Sequence, residues 1–307
     1  MTLRVGIATA ADLPAAYALR HAVFVVGQGV DLNLERDELD ETAVHAVAYD
    51  GERLVGTGRF VGDPSEPARV GRMAVDPVAR GRGVGAAVLR VLEQAAIKRG
   101  HPEVALHAQV HAIGFYDRAG YMPVGERFYE AGIEHQEMRK PLPVLRAGRD
   151  SDSAALITLI GDVWSEYPGC VLDVDGEEPW LRAPASAYEA YDGQLWVVTV
   201  DDAVVACVGL KPLGDGGQDG PAYELKSLYV SAKTRQQGLG ELLSGLVEEE
   251  AVRRGGRRIE LWSDTRFADA HRLYTRLGYR QLPQTRELHD LSNTTEYAFG
   301  KEIMIKT

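Results

Sequence analysis

Cysteine is scarce: Cys170 and Cys207 are the only two among 307 residues, and both lie in the second half. That excludes a disulfide framework and leads us to expect a reducing, cytoplasmic setting. Positive charge is also short, with 34 Lys and Arg against 45 Asp and Glu, a formal net charge of -11. Nucleic acid and anionic membrane would be repelled and are not expected partners, whereas a cationic small molecule would be attracted. Long apolar runs are missing too. The stretch Leu13 to Val26 is interrupted by Arg20 and His21, so neither a signal peptide nor a bilayer span is expected. Clustered metal ligands are absent: His107 and His111 straddle a strand-to-helix junction without a third ligand, and no metal is expected. Cys207, in an apolar run, reads as a buried small hydrophobe and not an acyl-enzyme nucleophile. What is plentiful is apolar residues, 45% of the chain, enough for two ordinary cores.

The chain then repeats itself. Arg80-Gly81-Arg82-Gly83-Val84-Gly85 and Arg235-Gln236-Gln237-Gly238-Leu239-Gly240 both spell R-x-x-G-x-G, 155 residues apart. Each follows an apolar run ending in valine (Met73-Ala74-Val75; Leu228-Tyr229-Val230) and precedes an amphipathic helix. Phe115-Tyr116-Asp117-Arg118-Ala119-Gly120-Tyr121 is echoed by Leu273-Tyr274-Thr275-Arg276-Leu277-Gly278-Tyr279, 158 residues on. Two motifs recurring at nearly one period predict a duplicated α/β domain. Lys140-Pro141-Leu142-Pro143 reads as an extended spacer, giving domains at 1–140 and 146–307 joined by a linker at 141–145.

Within the first half the pattern predicts a strand at Leu3 to Ile7 and a helix capped by Asp12 and running to about Val26. An acidic irregular segment follows, then a hairpin of His45 to Tyr49 with Leu54 to Phe60. Asp31, Glu35, Asp37, Glu38, Asp40 and Glu41 in that acidic segment read as a solvated loop, with steering of a polycationic amine the alternative. In the second half the pattern predicts helices at Asp152 to Trp164 and Pro179 to Tyr191. A hairpin turning at Asp201-Asp202 and a glycine-rich loop from Gly214 to Pro221 come next. Glu248-Glu249-Glu250 reads as a solvated helix surface.

A strand, a glycine turn and a helix start leave backbone N–H groups converging at the positive end of a helix dipole, which suits a pyrophosphate. Glycine at 83, 85, 238 and 240 would let phosphate oxygens approach, with Arg80 and Arg235 adding charge at the rim. The first copy satisfies the dinucleotide pattern G-x-G-x-x-A through Gly81, Gly83 and Ala86. A Rossmann site nevertheless fails, because the second copy has Leu243 at the third position and His107 sits where an acidic residue should close the next strand. A Walker loop is excluded by the missing Gly-Lys-Ser/Thr.

With both motifs in order, twice, the sequence resembles the GNAT superfamily of acyl-CoA N-acyltransferases across both halves. The resemblance implies, in each half, a mixed sheet splayed open after its fourth strand, with acetyl-CoA in the gap and its pyrophosphate on the glycine loop. Backbone groups of Met73 and Val75, or Leu228 and Val230, would then pair with the pantetheine arm. The first half is more specifically similar to the ElaA-like subgroup. This rests on Val23-Phe24-Val25, Glu35-x-Asp37-x-x-Asp40, Leu106-His107-Ala108-Gln109, Gly125-Glu126-Arg127-Phe128 and Gly132-Ile133-Glu134-His135. It departs at Gly27, where the subgroup carries glutamate. By the same resemblance Tyr116 and Tyr274 would protonate the departing thiolate, or else simply pack in the core. Glu224 would be the base of the second half, or an exposed strand-end carboxylate. The equivalent in the first half is Arg69, which cannot serve, leaving Glu126, Glu130 or His135. The activity implied is acetyl transfer to a primary amine of a small molecule. A CoA-binding structural or sensory module, and a protein N-terminal or lysine acetyltransferase, are the rivals.

Overall fold

The first apolar run forms strand β1 (Leu3–Ile7), which pairs antiparallel with β2 (Val44–Asp50), and β2 turns at Gly51-Glu52 into β3 (Arg53–Val61). β3 pairs antiparallel with β4 (Ala68–Val75), which is followed by helix α3 below and then by β5 (Glu103–Gln109), β6 (Met122–Glu130) and β7 (Ile133–Pro141). This computed structural model describes residues 3–214 and 220–303. The chain divides into two units between Val144 and Leu145. The first sheet has the order β1-β2-β3-β4-β5-β7-β6. β8 (Val144–Ala147), β9 (Gln194–Val200), β10 (Ala203–Pro212), β11 (Ala222–Val230), β12 (Arg258–Asp264), β13 (Arg280–Glu287) and β14 (Thr295–Glu302) form the second. Its order, β8-β9-β10-β11-β12-β14-β13, repeats the first, so the two motif repeats report a duplicated mixed-sheet α/β fold.

Helices in the N-terminal unit are α1 (Leu13–Arg20), α2 (Leu32–Glu35), α3 (Val84–Lys98) and α4 (Ile113–Arg118). α5 (Ser153–Ser165), α6 (Pro184–Glu189), α7 (Leu239–Arg253) and α8 (Ala268–Arg276) belong to the other. α3 buries Val84, Val88, Leu89, Leu92, Ala96 and Ile97, each fully buried Val or Leu contributing roughly 1.5–3 kcal/mol. It lies close to β3 because Gly56 and Gly58 have no side chain; a Cβ at either would overlap Val84 or Met73. Gly209 on β10 leaves the equivalent notch for the Tyr188 ring of α6.

Several expectations are corrected. Asp12 precedes α1, but its carboxylate accepts from Thr9 N and Oγ1 and from the Tyr49 hydroxyl, each at 2.7 Å, instead of capping the helix. α1 stops at Arg20 and a π-helical stretch, His21–Val26, replaces its last turns. The helix expected at Pro179 to Tyr191 is broken at Ala183, which Pro184 biases away from helical backbone, into a short 3-10 turn and α6. The proline segment is no free spacer: Pro141 ends β7, and Leu142, buried, donates its N–H to Pro102 O at 2.9 Å. Of the glycine-rich loop expected at Gly214 to Pro221, residues 215–219 lie outside the described residues. Glu248 and Glu250 are not merely solvated, since Lys301 pairs with the first and Arg253 and Arg254 with the second.

Candidate functional site

Each sheet opens at its one parallel pair. β4 pairs with β5 only from Ala68–Val104 to Val70–Leu106, although both strands run on for several residues. β11 pairs with β12 only from Ala222–Arg258 to Glu224–Glu260. In both units a left-handed residue just past the last rung bends the strand: Arg72 at φ 54° and Ser227 at φ 53°, again 155 residues apart. Register shifts against β3 and β10 mark these positions as bulges, which turn the strand end away from its neighbour. Such backbone costs about 1–3 kcal/mol unless its surroundings hold it. Arg72 is held: its Nε donates to Glu35 O at 2.8 Å and its Nη2 to Leu34 O at 2.6 Å.

The glycine loops follow. Gly81 and Gly83 have φ of 74° and 81°, and a Cβ at either would meet nothing within 4 Å, so the space above the turn is open. Gly83 is the N-cap of α3, whose first bond is Ala87 N to Gly83 O at 3.0 Å. The N–H groups of Val84, Gly85 and Ala86 precede that bond at the positive helix end. The second loop has the same geometry, with Gln236 at φ 63°, Gly238 at φ 87° and the first α7 bond from Leu242 N to Gly238 O. An open turn with this many inward N–H groups fits a diphosphate.

Gly85 and Gly240 differ in what lies against them. A Cβ at Gly240 would press on Leu273 at 2.9 Å, so this glycine admits helix packing, whereas one at Gly85 would make only ordinary contact with Phe115 and Val75, both at 3.5 Å. The rim arginines are partly spent: Arg80 Nε donates to Val75 O at 3.2 Å and Arg235 Nε to Val230 O at 3.1 Å. Each of those carbonyls, on a residue expected to meet a pantetheine arm, accepts from one guanidinium and keeps a second lone pair. Arg235 is further engaged by both oxygens of Glu166, at 2.5 and 2.7 Å. Arg82 lies 3.9 Å from Asp50, while Gln237 is its uncharged counterpart.

In the N-terminal unit a cleft of about 920 Å³ joins the glycine loop to the parting strands. Met73, Val75, Arg80, Gly81, Gly83, Val84, Gly85 and Tyr116 all line it. Tyr116, on α4, is 7% exposed, and burial pushes its hydroxyl up to about 12, so it remains a proton donor. Tyr274, the α8 counterpart, is equally buried and is pushed up for the same reason. Of the first-half base candidates, Glu130 and His135 line the cleft and Glu126 does not. Gln28 and Gln109 exchange amide hydrogen bonds at 3.0 and 3.2 Å beside it.

Glu224 is not the exposed strand-end carboxylate that was one alternative; it is 8% exposed on β11. Nearby, Tyr188 Oη donates to Ser227 Oγ at 3.0 Å and Trp164 Nε1 to Tyr229 Oη at 3.1 Å. Glu178, which sequence reasoning missed, accepts from Trp180 Nε1, and burial pushes its carboxyl up. Its only sequence signal is an acidic residue beside a proline and a tryptophan. Cys207 is fully buried as expected, its thiol pushed up to about 12 by burial.

The acidic segment is the largest correction. Arg20 is 1% exposed and binds Glu35 at 2.5 Å and Asp40 at 2.6 Å. Arg59 binds Asp40 at 2.5 Å and both oxygens of Asp37 at 2.6 and 2.7 Å. Burial opposes the Asp40 charge, yet Arg20 and Arg59 hold its carboxyl down to about 2. Three of the six acids are therefore ion-paired and not a solvated loop, and two of them, Glu35 and Asp37, line the cleft. Among the described residues no group of three or more His, Cys, Asp and Glu is placed to hold a metal. No described helix is long and apolar enough to cross a membrane.

Comparisons with known proteins agree with this geometry. A family model described as the acetyltransferase (GNAT) domain matches residues 18–142, and one described as the acetyltransferase (GNAT) family matches residues 158–279. The chain is 38% identical over 130 residues to the uncharacterized N-acetyltransferase YjcF of Bacillus subtilis, covering 42% of this chain and 92% of that protein. It is 32% identical over 132 residues to an uncharacterized acetyltransferase of Streptococcus pyogenes, covering 43% and 89%. The crystal structure of Escherichia coli ElaA matches 45% of this chain and 97% of its own at 28% identity, with a TM-score of 0.41. The chain belongs to the acetyltransferase (GNAT) family and carries two of its domains in tandem.

Proposed function

We propose that the protein is an acetyl-CoA-dependent N-acetyltransferase that transfers the acetyl group directly to a primary amine of a small molecule. The observation that carries this reading is the repeated pairing of a splayed strand with a left-handed glycine turn at a helix start. Acetyl-CoA is the cosubstrate, one molecule per unit, with its diphosphate on residues 80–85 and 235–240 and its thioester beside Met73 or Leu228. Buried Tyr116 and Tyr274 hydroxyls donate to the departing thiolate, and Glu224 takes a proton from the amine in the C-terminal unit. The amine attacks the thioester carbon with no acyl-enzyme. The net charge of -11 favours a cationic acceptor. The test is a screen of an amine library for acetyl-dependent release of free CoA. Turnover with small amines supports the reading; acetyl-CoA binding without turnover on any amine, or turnover only on peptide and protein amines, replaces it with one of its rivals.

A further inference from the structure

The acetyl-transfer reading leaves the N-terminal unit without a strand carboxylate to act as base, because Arg69 stands at the position equivalent to Glu224. β4 and β5 part after Val70 and Leu106, so His107 is the first β5 residue beyond the last paired rung. His107 and Glu130 both line the cleft that contains Tyr116 and the glycine loop. Glu130 Oε2 lies 2.8 Å from His107 Nδ1. An ionised carboxylate can only accept, so this contact places the proton on Nδ1 and leaves Nε2 of neutral imidazole as the basic atom. Phe128 packs against the imidazole at 4.8 Å and fixes its plane, while His135 stacks on the same phenyl at 6.1 Å. His135 in turn spends its Nδ1 on Ile133 O at 2.8 Å, a bond inside the β6–β7 hairpin.

The geometry points to His107 as the general base of the N-terminal site, with Glu130 as its positioning residue; this rests on the acetyl-transfer reading of that cleft. A protonated amine gives one proton to Nε2, directly or through water, and its freed lone pair attacks the thioester carbonyl carbon. The C–N bond forms, the C–S bond breaks, and the latter's electron pair leaves on sulfur. Nitrogen sheds its second surplus proton as the adduct collapses. One proton reaches the thiolate by way of the Tyr116 hydroxyl, and the other passes from imidazolium to solvent. The His107 side chain keeps 40% of its surface open for that exchange. Thus one unit uses an imidazole where the other uses a carboxylate.

Other charged groups surround His107. Glu137 is its cross-strand partner on β7, with Arg139 donating to that carboxylate at 2.8 Å. Glu130 lies on β6, His135 on β7, and Arg69 on β4 beside the rung before it. From the covering segment Glu35 and Asp37 face the cleft, already matched by Arg20, Arg59 and Arg72. Glu137 is therefore the carboxylate opposite His107 in register, and Glu130 the one in hydrogen-bond contact with it.

The test uses the full chain carrying Gly238→Glu, which places a carboxylate in the second phosphate turn and confines transfer to the first unit. Two probe nucleophiles are compared: ethylamine, which is protonated near neutral pH, and hydroxylamine, which is mostly neutral there. His107→Gln is expected to lower kcat/KM for ethylamine by about 100-fold or more, with hydroxylamine changed by less than about threefold. Acetyl-CoA Kd should stay unchanged, which separates loss of a base from loss of the fold. Glu130→Gln is expected to lower kcat for ethylamine by about tenfold with its KM unchanged and with hydroxylamine turnover changed by less than about threefold. A merely structural Glu130 would lower turnover of both nucleophiles alike. Equal losses for both nucleophiles, no loss for either, or a Gly238→Glu chain that acetylates hydroxylamine but not ethylamine would overturn the assignment. Acetyl-CoA binding without transfer to either probe would instead bring down the enzymatic reading itself.

Discussion

At the scale of single residues, burial decides what each functional group can do. Tyr116 and Tyr274 lie almost wholly inside, which keeps their hydroxyls protonated. Tyr274→Phe should lower kcat of the C-terminal site far more than acetyl-CoA affinity, measured by steady-state rates beside equilibrium binding; unchanged turnover would remove this hydroxyl from the mechanism. The Arg20 cluster makes a separate prediction about stability. Removing one member leaves a buried charge unmatched, so Arg20→Met should cost about 3–5 kcal/mol in denaturant unfolding. Asp40 gives the cluster a pH signature. Its folded pKa is depressed, so its contribution is complete above the usual carboxylate range near ~4 and is lost as pH falls through about 2. The wild type should lose stability across that window, and Asp40→Asn should lose less there.

At the scale of elements, a strand, a glycine turn and a helix start form one device, and its glycines divide by task. Gly83 needs its left-handed φ of 81°, so Gly83→Ala should cost about 1–2 kcal/mol and weaken acetyl-CoA binding. Gly85 has helical backbone and ordinary contacts, so Gly85→Ala should add about 0.5–1 kcal/mol and leave binding intact. Equal effects at the two positions, read by thermal unfolding and calorimetry, would contradict this division. The repeated motifs made both loops, both pre-motif strands and both buried tyrosines legible in the sequence, because periodic apolar patterns and glycine spacing are local properties. The ion-paired acids were not legible. Glu35, Asp37 and Asp40 look solvated in sequence, since their partners Arg20, Arg59 and Arg72 are brought to them only by tertiary folding. His107 was hidden likewise: its partner Glu130 lies 23 residues away on another strand. The packing role of Gly240 depends on Leu273, a contact that no local pattern announces.

At the scale of the whole molecule, duplication has kept one architecture while the two sites have diverged. The two sheets open within one rung of the same point in the repeat, and both bulges fall one repeat apart. The charges differ: Arg82 is replaced by Gln237, and Arg235 is held by Glu166, so the second turn presents less positive charge to a diphosphate. The second site should bind more weakly, and Glu166→Gln should tighten it by releasing the guanidinium, as a competitive displacement assay would read. The central claim is that each unit holds one thioester carrier on its own helix start. Calorimetric titration of acetyl-CoA into the wild type and into Gly238→Glu tests it most directly. Two bound equivalents falling to one are predicted; a single equivalent in the wild type, or a count that Gly238→Glu leaves unchanged, would contradict it.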